Sequence, residues 1–147
     1  MNFLRFIVFI LIISCNSSQR KGAEIYQKEG TAIGGYDPVS FFTAHKPVKG
    51  GAEYIFVWKD AKWQFSSQQN LDSFKSSPEK YAPQYGGYCA YGTADGHKAP
   101  TEVDTWTIMD GKLYFNYNQD VKTIWDKNRS VYIEKANTNW ENIKFSD

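Results

Sequence analysis

The stretch Gly34-Gly35-Tyr36-Asp37-Pro38-Val39 is followed, later in the chain, by Gly86-Gly87-Tyr88-Cys89-Ala90-Tyr91. Eleven residues after the first glycine of each stands a His-Lys pair, His45-Lys46 and His97-Lys98. Residues 54–58 and 60–65 then match 104–108 and 110–115, with the offset drifting from 52 to 50. Several matches in the same order read as one duplicated unit with a small insertion or deletion. Each unit reads loop, β-hairpin, helix. Trp106-Thr107-Ile108 and Leu113-Tyr114-Phe115 alternate with period two around Asp110-Gly111, a strong hairpin signal because both turn positions need positive φ. Asp60-Ala61 is the weaker copy, since alanine tolerates that conformation poorly.

Helix signals close both units. Ser67 is placed to cap a helix carrying Leu71 and Phe74, and Ser77-Pro78-Glu79 starts another with proline at its first position. Asn118 caps a helix with Val121, Ile124 and Trp125 on one face. Ser130 opens a last helix with Ile133, Ala136, Trp140 and Ile143 on one stripe. The expectation is a single α+β domain over residues 32–147, made of pseudo-repeats 32–83 and 84–147. It would have about four antiparallel strands covered by helices.

The composition agrees with one small domain. The chain has 147 residues, 41% hydrophobic and 17% aromatic, enough for a packed core. Its 17 basic and 16 acidic side chains argue against nucleic acid as a partner. Two cysteines exclude a disulfide-dense scaffold, and two histidines exclude an all-histidine metal cage.

The first residues read as an address. Arg5 precedes a polar-free run over residues 6–13, too short for the roughly 20 residues that span a bilayer. The run ends Ile12-Ile13-Ser14-Cys15, which resembles the lipobox of bacterial lipoproteins. Residues 1–14 are thus expected to be a signal peptide and Cys15 the lipidated (palmitate-bearing) first residue. An ordinary cleaved signal and an uncleaved anchor are the alternatives. Removing residues 1–14 takes away Arg5 and no acid, so the mature chain holds 16 of each charge. Asn16, in place of Asp, points by resemblance to the outer membrane, facing the periplasm. Residues 15–31 read as a flexible tether. With Cys15 lipidated, Cys89 is left without an internal disulfide partner.

Asp37-Pro38-Val39 and the run from Lys62 to Tyr81, with Trp63-Gln64-Phe65-Ser66-Ser67 and Ser77-Pro78-Glu79-Lys80-Tyr81, resemble the YHS domain family. The segments 34–39, 81–90 and 110–118 resemble an exported subgroup of that family, some members of which are labelled selenoproteins. The resemblance covers nearly all of residues 32–143. It implies kinship to small treble-clef metal-binding domains, which occur in copper-transporting ATPases and beside metal oxygenases. The ligands of the family are cysteines, and the matching positions here are Ser40, Ser66 and Asn70. All three thiols are missing, so the family's site does not carry over.

Asp37 and Cys89 follow the two Gly-Gly-Tyr triplets at equivalent positions, as do His45 and His97. If the halves pack about a pseudo-twofold axis, these four side chains make a ligand set for zinc or copper. The ordinary reading of each histidine is a solvated loop residue. That of Cys89 is a small core hydrophobe, with a redox thiol as a further alternative that needs a lowered pKa. Tyr81, Tyr85, Tyr88 and Tyr91 recur every three or four residues, and with Tyr36 they are candidates to line a pocket for a planar ligand such as haem. The ordinary reading of such a stripe is packing at a core edge. No enzyme signature is present: neither His-Glu-x-x-His, nor Gly-x-Ser-x-Gly, nor a phosphate loop, nor Cys-x-x-Cys. These readings together describe a lipid-anchored envelope protein that binds or buffers copper or zinc in a non-enzymatic role. A metal-free periplasmic interaction module and a thiol redox accessory acting through Cys89 are the alternatives.

Overall fold

The computed structural model describes residues 22–147. The expected signal peptide, the expected lipidation site Cys15 and the first part of the expected tether lie outside the described residues. The chain runs through β1 (Gln27–Lys28), β2 (Thr31–Ala32), α1 (Ser40–Thr43), β3 (Gly51–Trp58), β4 (Ala61–Phe65), α2 (Gln68–Ser76) and α3 (Pro78–Tyr81). It continues with α4 (Ala90–Ala94), β5 (Glu102–Met109), β6 (Lys112–Asn116), α5 (Gln119–Asp126) and α6 (Arg129–Ile143). The class is α+β with antiparallel strands. The strands do not join into one four-stranded sheet: among the described residues they form three separate ladders, β1–β2, β3–β4 and β5–β6.

Both hairpins form where the alternation places them. Asp110 and Gly111 turn the second at φ 51° and 73°. In the first, the turn is Lys59-Asp60, at φ 51° and 56°, rather than Asp60-Ala61. Ala61 instead opens β4, paired with Trp58 and 1% exposed. The one-residue shift spares alanine a positive φ, which its Cβ opposes. Each hairpin carries a register slip at the same place, between Gly51 and Ile55 and between Glu102 and Thr107.

The helix starts follow side-chain chemistry. Ser67 accepts a hydrogen bond from the Asn70 N–H, and Asn118 accepts one from Val121. Pro78 begins α3, where its missing N–H is harmless. The last helix begins at Arg129 and has no side-chain cap.

Two aromatic clusters make the core. In the first, Phe74 meets Phe56, Trp58, Trp63 and Phe65 at ring separations of 5.0–6.3 Å. Phe41 bridges to the second half through Phe115 at 5.4 Å and Trp106 at 5.7 Å. The second cluster gathers Tyr85, Ala90, Tyr114, Trp125 and Ala136. Because Leu113 and Phe115 sit in the first cluster, the halves share a core and neither closes by itself.

The expected boundary at residue 32 moves. Residues 22–31 belong to the fold: Ile25 is 2% exposed and the Tyr26 N–H donates to the Gly86 carbonyl at 2.9 Å. The Gly22 N–H reaches the Phe145 carbonyl at 2.9 Å. Two apolar side chains inside a polar stretch are enough to draw this segment onto the domain.

Candidate functional site

The two Gly-Gly-Tyr loops make short left-handed turns. Ile33, Gly34 and Gly35 have φ of 45°, 66° and 78°, and Tyr85, Gly86 and Gly87 have φ of 55°, 62° and 87°. Runs of left-handed residues are rare, and for the β-branched Ile33 the conformation is strained. The loops pack together: a Cβ on Gly87 would come within 2.8 Å of Ile33 Cγ2.

After each loop a side-chain acceptor turns inward. Asp37 is fully buried. Its Oδ1 accepts from the Val39 N–H at 2.9 Å. Its Oδ2 accepts from the Ser66 N–H at 2.9 Å, the Ser66 hydroxyl at 2.7 Å and the Asn70 amide at 2.7 Å. The Ser40 hydroxyl donates to the Asp37 carbonyl at 2.7 Å. The three positions that match family cysteines thus gather around Asp37, but as hydrogen-bond donors to it.

Cys89, 1% exposed, does the matching task in the second half. Its Sγ accepts from the Gly92 N–H at 3.4 Å and the Tyr117 N–H at 3.2 Å, and lies 3.7 Å from Asn116 Oδ1. Burial pushes the thiol pKa up, against the pull of the Gly92, Tyr117 and Tyr91 N–H groups. That is the environment of a structural thiol rather than a nucleophile. In the chain from residue 16, alkylation of Cys89 at neutral pH is therefore expected to run at least about 100-fold slower than in denaturant, read by mass. Rapid labelling of the native protein would contradict the burial. The raised pKa also sets a sign: this group's stabilisation is full below the ordinary thiol pKa and is lost as the pH rises through the raised one.

The four expected metal ligands do not converge. Asp37 and Cys89 each face the end of their own hairpin. His45 is exposed at φ 52°, and the His97 side chain is 58% exposed, 3.7 Å from Asp95. Among the described residues no group of three or more His, Cys, Asp or Glu is placed to hold a metal ion. Asp37 bonds residues at the end of the first hairpin and Cys89 residues at the end of the second.

The tyrosines also part company. The Tyr85 ring is buried against Tyr114 and Trp140, its hydroxyl donates to Asn137 Oδ1 at 2.9 Å, and burial drives its pKa upward. Tyr88 donates to the Ala23 carbonyl at 2.9 Å, and Tyr91 packs on Tyr132 at 5.1 Å. Tyr85 and Tyr88 both meet the Trp140 ring, at 6.0 and 6.2 Å, and Tyr91 packs elsewhere.

Tyr36 does line a cleft, of about 340 Å³, between the halves. One wall comes from Tyr26, Lys28, Glu29, Ile33, Gly34, Tyr36 and Lys49; the other comes from residues 101–104 and Phe115. Lys49 is held in place, donating to the Gly34 carbonyl at 2.6 Å and lying 4.6 Å over the Tyr36 ring. Sequence reasoning missed Lys28, Lys49, Glu102 and Asp104, which are surface charges in unconnected segments and carry no motif. A second cleft, about 490 Å³, is lined by residues that include Glu24, Lys59, Glu79, Tyr85, Trp140 and Glu141. Its one cation, Lys59, is paired with Glu24 at 2.6 Å.

Among the described residues no helix is long and apolar enough to cross a membrane. Comparison of the chain with protein-family models, with curated proteins and with solved structures finds no match.

Proposed function

We propose that this chain is a lipid-anchored cell-envelope module, on the periplasmic face of the outer membrane, that binds its partner in the cleft between two copies of one duplicated unit. It works without a metal and without catalysis. The duplication is supported by the recurrence, in order, of a left-handed loop, an inward acceptor, a slipped hairpin and a capped helix. Anchoring is supported by the Ile13-Ser14-Cys15 pattern behind its apolar run.

One observation carries the metal-free reading. Ser40, Ser66 and Asn70, which match metal-binding cysteines in the family the chain resembles, are tied to Asp37 by hydrogen bonds. Such a site closes on itself, with donors where a cation needs acceptors. The redox alternative loses ground to the burial and raised pKa of Cys89.

The chain from residue 16, purified without a histidine tag, equilibrated with copper and zinc and then desalted, is expected to retain no stoichiometric metal by mass spectrometry. Retention of about one equivalent, lost in Cys89→Ser, would restore the copper or zinc reading and overturn this one. Labelled palmitate is expected to enter the full chain and to be lost in Cys15→Ala.

A further inference from the structure

We infer that the cleft between the halves takes a small zwitterion, an amino acid or dipeptide with free amino and carboxylate ends. The inference rests on the cleft-binding reading above and names its ligand class.

The cleft's volume, about 340 Å³, lies at the small-ligand end of binding pockets. Its floor is apolar: Ile33 is 6% exposed and Phe115 1%. Charge of both signs surrounds that floor. Lys28 and Lys49 come from the first half, Glu102 and Asp104 from the second.

Lys49 is the fixed cation. A free lysine side chain loses much rotamer entropy when it binds an anion. Here the Gly34 carbonyl and the Tyr36 ring already hold the ammonium, and two of its three protons remain for a ligand. The strained φ of Ile33 belongs to the turn that presents this carbonyl, and such strain gathers at binding sites.

On the other wall, Glu102 and Asp104 stand two residues apart on β5, both exposed, with half-buried Val103 between them and buried Thr105 after them. That spacing puts both carboxylates on one face of the strand. The β5 register slip falls in this segment, and bulges recur where strands re-aim side chains at sites. Glu29 adds a third acid, next to Lys28. A simple anion therefore meets three carboxylates, and a simple cation meets two ammonium groups. A zwitterion with an apolar body answers both walls and the floor: its carboxylate goes to Lys49 and its ammonium to Glu102 and Asp104.

The test is calorimetric titration of the chain from residue 16 with Ala-Phe, its N-acetyl form, its C-terminal amide and the doubly blocked peptide. Ala-Phe is expected to bind, and blocking either end to weaken binding by about tenfold or more. Lys49→Met is expected to weaken Ala-Phe but not the amide, and Glu102→Gln to weaken Ala-Phe but not the N-acetyl form. Equal binding of the doubly blocked peptide would overturn the inference, as would absence of binding by Ala-Phe and by free phenylalanine alike. Those failures leave a metal-free module standing, whereas retained copper or zinc would remove the module reading itself.

Discussion

Asp37→Ala is expected to destabilise the domain by about 3–4 kcal/mol, more than any other change to a hydrogen-bonding side chain in the first half. The carboxylate accepts four hydrogen bonds from Val39, Ser66 and Asn70, on both sides of the first hairpin. It thereby ties the Asp-Pro-Val turn to the start of α2. Alanine leaves those donors without their acceptor. Water can recover only part of the loss, because residue 37 itself is fully buried. Asp37→Asn is the sharper variant. It keeps the shape but turns one acceptor oxygen into a donor, facing either Val39 or the Ser66 and Asn70 groups. It should therefore rescue little. Ser66→Ala and Asn70→Ala each remove one donor and should cost about 1 kcal/mol. Combined with Asp37→Ala they should add almost nothing, since the shared partner is already gone. Urea unfolding reads all of these. If Asp37→Ala cost under about 1 kcal/mol, the carboxylate would not be the pin of this half.

The same network shows how far the sequence alone could reach. The hairpins, the Ser67 and Asn118 caps and the proline start of α3 were legible because each is a local device, complete within a few residues. The recurrence of Gly-Gly-Tyr was legible too, and both loops do take the same left-handed turn. Convergence of Asp37 with Cys89 was not legible. Equivalent residues in two repeats meet only if the axis relating the repeats passes beside them. Here each acceptor instead bonds a backbone N–H at the end of its own hairpin, Ser66 for Asp37 and Tyr117 for Cys89. The docking of residues 22–31 was not legible for a related reason. These residues are polar in the mean, and only Ile25, which is buried, and Tyr26, whose N–H bonds Gly86, tie them to the domain. The cleft charges come from β1, the loop before β3 and β5, and nothing short of the folded chain brings those together.

Gly86→Ala is expected to release residues 22–31 from the domain, at a cost of about 3 kcal/mol or more. Two effects add. At φ 62° an alanine side chain opposes the left-handed conformation, worth about 1 kcal/mol. The new Cβ would also overlap the Glu24 carbonyl oxygen and come within 2.9 Å of its carbon. Backbone cannot yield as a side-chain tip can, so the segment at residues 24–26 has to lift. Lifting breaks the 2.9 Å bond from the Tyr26 N–H to the Gly86 carbonyl and exposes Ile25, whose burial is worth about 1.5–3 kcal/mol. Hydrogen exchange should show lost protection at the amides of Tyr26 and Ile33, the latter bonded to the Tyr26 carbonyl at 3.0 Å. Trypsin should gain access at Lys28 while the two hairpins stay protected. Gly30→Ala is the control: its φ is 77°, but nothing lies within 4 Å of a Cβ there, so only the conformational cost of about 1 kcal/mol applies. Equal effects from the two substitutions would mean that residues 24–26 do not pack tightly on the second loop. If they differ as expected, Gly86→Ala should abolish ligand binding even where the hairpins remain folded, because Tyr26, Lys28 and Glu29 form part of one wall of the cleft.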